Sequence, residues 1–223
     1  MQIVAGVLVV LVSLALGVAT LALLGLPWAS VAARNNSRAT VLRHSLWWGF
    51  LIASILALAV NQFTGSGSPT AGATLLGAVI VSGLLGLRAL RRAKPSRIRP
   101  PARSTWLLVG TVTLFTVVLA FRVLGPVTNY DTGLYHLGAI QYAEQFAAIP
   151  GLANVYFAYG YATPQFPLAA LMTWSPLGAE GFRALNSLIL LIALIDLVIR
   201  FVQREKSAGT YVLAVGLSVF ALT

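Results

Sequence analysis

Long apolar runs, separated by short polar or basic links, set the pattern of this chain. A membrane-spanning helix needs about 20 mostly apolar residues. Residues 3–26, 46–63, 71–90, 105–124 and 185–202 each come close to that length, and a last run begins near Gly209 and is still apolar at Thr223. No Lys or Arg precedes the first run, and it exceeds the ~7–15 apolar residues of a signal peptide, so it reads as a retained helix. The pattern predicts an all-α fold: a polytopic transmembrane helix bundle of about six to seven membrane segments with a helical extracytoplasmic loop. The final run lacks a closing polar flank, so the chain is expected to be the N-terminal portion of a longer protein.

Composition agrees with that pattern. Of 223 residues, 58% are hydrophobic and 9% charged, where a soluble domain carries about 25% charged residues. Mean hydropathy is +0.87. Lipid is therefore the expected solvent for most of the surface. The net charge of +10 does not indicate a nucleic-acid partner, because the basic residues sit at the ends of apolar runs and no segment builds a soluble basic face. The chain has no cysteine, which excludes disulfides and thiolate chemistry.

The basic residues also orient the chain. Arg34, Arg38 and Arg43 lie between the first two runs, Arg88 to Arg103 form a proline-broken basic loop, and Arg200, Arg204 and Lys206 close the later run. Placing these on the cytoplasmic side leaves only Arg122 and Arg183 outside. Three regions follow: helices over 1–124 with the cytoplasmic loop 88–103, an extracytoplasmic loop with an interfacial helix over 125–163, and truncated membrane segments over 164–223. The short run 166–177 is broken by Pro167 and Pro176, and the charge count makes it re-entrant or interfacial. A multi-pass protein of the cell membrane, bacterial inner membrane by expectation, with the lipid bilayer as its first partner, is the outcome.

Chemistry concentrates in the outer segment. It holds six of the seven tyrosines, which read either as an interfacial aromatic belt or as a cleft of flat amphipathic rings suited to a sugar. Residues 132–148 read as a helix, with Asp131 at the N-cap, Gln141, Glu144 and Gln145 on one side, and Tyr135, Ala139, Tyr142 and Phe146 on the other. Of the five acidic residues, Glu205 falls in a cytoplasmic loop and Asp196 stands four residues before Arg200, the spacing of an intrahelical ion pair. Acid–base chemistry outside is left to Asp131, Glu144, Glu180, His136 or a tyrosine. Asp131 serves either as a helix cap or as a catalytic carboxylate. Asp131 and Glu144 lie roughly 20 Å apart on one helix and do not share a metal ion, so no metal site is assigned, and a divalent metal would need ligands from elsewhere. Arg122 and Arg183 read either as snorkelling cations or as forks for the phosphate of a lipid carrier.

Asn129-Tyr130-Asp131-Thr132-Gly133-Leu134-Tyr135-His136-Leu137 resembles the start of the first outer loop in GT-C superfamily glycosyltransferases. Tyr161-Ala162-Thr163-Pro164-Gln165-Phe166-Pro167-Leu168 resembles the proline-leucine motif that opens the next membrane helix there, and 178–185, with Arg183, the link that follows. The likeness covers about 124–200. It implies transfer of a sugar from a polyprenyl-phosphate carrier to an acceptor on the outer face. It also implies that Asp131 is the general base, or a metal ligand in some members, with His136 and Tyr135 nearby, and that 166–177 is a short span. Arg122, Arg183, Glu144 and Tyr161 are the substrate-binding candidates. The chain differs from that pattern in carrying Tyr130 and Thr132 beside the aspartate and four apolar runs before it. The alternative is a non-catalytic polytopic protein, a transporter piece or a partner in envelope polysaccharide assembly. Oligomeric state is not legible.

Overall fold

The computed structural model describes residues 2–32, 38–92, 103–127, 131–160, 163–203 and 207–222. They are helical, with no strand among the described residues. Eight α-helices follow in order: α1 Gln2–Ala32, α2 Arg38–Asn61, α3 Pro69–Arg92, α4 Arg103–Leu124, α5 Leu137–Gln145, α6 Gln165–Leu171, α7 Ala184–Val202 and α8 Ala208–Leu222. Among the described residues four helices are long and apolar enough to cross a membrane, over Gln2–Ala29, Ala39–Asn61, Pro69–Ala89 and Gly178–Val202. Helix α4 has 22 residues and is apolar over Val109–Leu124. The expected six to seven segments are thus recovered only in part, because α8 has 15 residues and α6 has seven. Seven residues rise about 10 Å, a third of the ~30 Å hydrocarbon core, so α6 alone is no span.

Helix α1 is the centre of the bundle and packs against α2, α3, α4 and α7. Its buried residues Val10, Leu14, Leu21 and Leu24 form one stripe at helical spacing. Helices α1 and α2 cross backbone against backbone at Gly25 and Gly49, where a Cβ on either glycine would collide with a main-chain carbonyl of the other helix, Ser45 or Leu21. Small residues at such crossings let apolar helices gain dispersion contacts where lipid supplies no hydrophobic drive. The outward faces are apolar as well: Leu8, Val12 and Leu16 on α1 and Ile80, Leu84 and Leu87 on α3 are exposed. That is the surface lipid solvates and water does not.

Several boundaries differ from the sequence expectation. Helix α1 runs through Pro27 rather than ending before it, as membrane helices tolerate. Helix α2 takes in Arg38 and Arg43 rather than leaving them in a link. Arg88, Arg91 and Arg92 end α3 and Arg103 opens α4, so the basic loop is shorter than 88–103; its remainder, Arg34, Arg204 and Lys206 lie outside the described residues. The run 166–177 becomes α6, a 3-10 turn at Met172–Trp174 and the approach to a second at Gly178–Arg183. Pro167 to Leu171 are buried against α5 and α2. Protein thus covers Pro167 to Leu171, while Trp174 is exposed.

Candidate functional site

The π-turn and its helix come first. Thr132–His136 form a π-helical turn ahead of α5, and Asp131 already has helical backbone. Asp131 therefore lies within the helix rather than capping it from outside, and the helix stops at Gln145 rather than Ala148. A π-turn bonds i to i+5, and such turns recur at functional sites. The buried residues of α5 are Ala139, Ile140 and Ala143, while Tyr142 and Phe146 are exposed.

The turn between α2 and α3 holds α5 in place. A helix end leaves carbonyls without intrahelical donors. Here Ser66 N donates to Ala143 O at 2.7 Å and Gly67 N to Glu144 O at 2.9 Å. Asn61 Nδ2 donates to Ala143 O at 2.9 Å and Phe146 O at 3.1 Å. The approach is close enough that a Cβ on Gly65 would strike the Glu144 carbonyl. Trp174 Nε1 donates to Ser66 O at 3.2 Å, and Thr173 Oγ1 to Glu144 Oε1 at 3.3 Å.

Two cavities open beside this assembly. The first, of about 240 Å³, lies among the end of α4, the π-turn, α6 and the start of α7. Arg122, His136, Gln165, Arg183 and Asn186 supply its polar wall. Arg183 is anchored: its Nη2 donates to Gly125 O at 2.8 Å, tying α7 to the end of α4, and its Nη1 lies 3.5 Å from Glu180 Oε2. Gln165 Nε2 donates to Asn186 Oδ1 at 3.3 Å. The second cavity, of about 330 Å³, is lined by Asn61, Gln62, Tyr142, Tyr159 and Phe166 among others. Phe166 lines both. A chain of ring contacts joins them: Phe146 to Tyr142, Tyr142 to Tyr159 at 5.5 Å, Tyr159 to Tyr156, Tyr156 to Tyr135, Tyr135 to His136 at 4.4 Å, and His136 to Phe166 at 5.5 Å.

The structure thus brings Arg122, Arg183 and His136 to one cavity and sets Tyr135 against His136. It does not bring Glu144 there: that carboxylate faces Thr173 and Gly67. Asp131 is exposed, one π-turn from His136. Tyr161 lies outside the described residues. Among the described residues no group of three or more His, Asp or Glu is placed to hold a metal ion, and the residues present do not converge on one. Sequence reasoning missed Gln165, Asn186 and Phe166 as walls of the cavity. It also missed a cluster at the other end of α2. Asp196 is buried, bonded to Arg200 as its spacing foretold (Nε to Oδ1, 2.7 Å), and also to Trp47 Nε1 at 2.7 Å, with Arg43 Nε 3.5 Å away. The available signal was the carboxylate itself, since an acid inside an apolar helix calls for partners on a neighbouring one.

Fold and site together define an all-helical protein with several helices long and apolar enough to cross a membrane. The chain belongs to the family described as a domain of unknown function, DUF8201, whose family model matches residues 3–223. No curated protein and no solved structure matches it.

Proposed function

We propose that this chain is a membrane glycosyltransferase of the GT-C kind, taking a sugar from a polyprenyl-phosphate carrier at the outer face of a cell membrane. One observation carries the reading: Arg122, Arg183 and His136, far apart in sequence, share one cavity beside a continuous array of aromatic rings. Guanidinium forks suit phosphate oxygens. Aromatic faces suit a sugar ring, and Tyr142 and Tyr159 offer them across Phe166. In the transfer the acceptor hydroxyl gives its proton to the Asp131 carboxylate as its oxygen bonds the anomeric carbon. The anomeric carbon–oxygen bond to phosphate breaks, and the departing polyprenyl phosphate keeps the electron pair, its charge held by Arg122 and Arg183. His136, braced by Tyr135, positions the phosphate. Glu144 has no part in this step and fastens α5 to Thr173.

The test uses membranes holding the full chain, a polyprenyl-phosphate sugar and an acceptor. Asp131→Asn is expected to abolish transfer, about 10²-fold or more for loss of a general base, while carrier binding persists. An Arg122→Gln, Arg183→Gln double variant is expected to lose carrier binding. Full transfer by Asp131→Asn removes Asp131 as the base. Carrier binding without transfer by the unaltered chain favours a non-catalytic partner in envelope assembly.

A further inference from the structure

We infer that the opposite end of the bundle carries a second, independent site for a phosphate-bearing anion, where the start of α2 meets the end of α7. This inference does not rest on the transferase reading. A cavity of about 350 Å³ opens there, walled by Arg43, His44, Trp47, Asp196 and Arg200. Arg43 and Trp47 stand four residues apart on α2, as Asp196 and Arg200 do on α7, so each pair shares one helix face.

The bonding inside the cavity decides what it attracts. The carboxylate among the described residues of the wall is already engaged: its Oδ2 accepts from Trp47 Nε1 and its Oδ1 from Arg200 Nε, each at 2.7 Å, and Arg43 Nε approaches Oδ1 at 3.5 Å. Arg200 Nη1 donates to Ser207 Oγ at 3.1 Å. Arg43 Nη2 lies 3.2 Å from His44 Nε2. A guanidinium has no acceptor, so in this contact the imidazole nitrogen is the acceptor. Among the described residues of the wall, an incoming group therefore meets two guanidinium groups beside a carboxylate already bonded to its neighbours. Such a wall selects an oxyanion with several acceptor oxygens, and the planar fork matches phosphate best.

The rim suggests how that phosphate arrives. Trp48 and Leu51 line the mouth and are 40% and 47% exposed, and Trp48 stacks on Trp28 at 6.1 Å. The cavity lies within about two turns of the helix ends: Gln203, just past α7, bonds Thr40, in the first turn of α2, at 2.9 Å. Phospholipid phosphates lie at this depth, and indoles gather there. Basic pockets between membrane helices hold anionic head groups. A phospholipid head group and free phosphate are the two sources of the shared chemistry.

The experiment uses the full chain in nanodiscs of phosphatidylglycerol or phosphatidylcholine, with bound lipid counted by native mass spectrometry, and inorganic phosphate titrated separately in neutral detergent. Both lipids offer a phosphate, but choline brings its own cation against the two guanidinium groups, so retention of phosphatidylglycerol over phosphatidylcholine by about tenfold is the expected result. Arg43→Gln should abolish that preference. Leu51→Trp, which narrows the mouth without touching a charge, should weaken it even if Arg43→Gln fails to fold. Saturable phosphate binding with the same sensitivity to Leu51→Trp, without lipid preference, also supports the site and assigns free phosphate as its ligand. Less than twofold preference together with no saturable phosphate binding overturns the inference, as does preference unchanged in both variants.

Discussion

Helix α2 is fastened at its two ends by opposite means. At its start Arg43 and Trp47 converge with Arg200 on the buried Asp196, an ionic tie. At its end Asn61, Ser66 and Gly67 hold the carbonyls of α5 through uncharged hydrogen bonds. The charged tie is strong only while complete, because removing one partner leaves a buried charge. The uncharged tie is spread over several bonds, so each loss is smaller and local. At this second end Arg122 and Arg183 line the cavity, and Arg183 also bonds Gly125 O and approaches Glu180.

The largest expected effect falls on the ionic end. Asp196→Ala should destabilise the protein by about 3–5 kcal/mol, read as a lowered thermal midpoint in detergent. Asn61→Ala should cost less, about 1–3 kcal/mol for carbonyls left short of a donor. Hydrogen exchange should quicken in α5 while α7 stays unchanged. Equal losses in the two variants, or a loss in Asn61→Ala that spreads over the whole bundle, would break the contrast between the ends. Glu180→Gln should be nearly silent, within about 0.5 kcal/mol, because the pair with Arg183 is largely in solvent. A large effect there would mean that the outer cavity also depends on an ionic tie.

How far these features were legible in the sequence follows from the range of the interactions involved. The long helices were readable because a bilayer-length apolar run records itself locally, and the Asp196–Arg200 pair because its partners share one helix face. Arg43 was assigned to a link because an arginine beside an apolar run usually ends it. It meets Asp196, more than a hundred residues later, a pairing that no local period encodes. The π-turn at Thr132–His136 escaped for a different reason: the aromatic spacing from Tyr135 to Phe146 fits an α-helix well and carries no mark of the wider turn that opens it. Arg122 and Arg183 were each noticed as lone outer cations. Their meeting in one cavity needed the bond from Arg183 to Gly125, which involves a backbone oxygen and leaves no trace in residue identity.

Among the described residues Phe166 is shared by the linings of two hollows, of about 330 and 240 Å³. Swinging an aromatic side chain about χ1 means hopping between a few staggered positions, not sliding continuously. Any opening made between them by this ring therefore comes in discrete settings. A guest that fits one room leaves it shut, and one long enough to occupy both must turn a ring that His136 already leans upon.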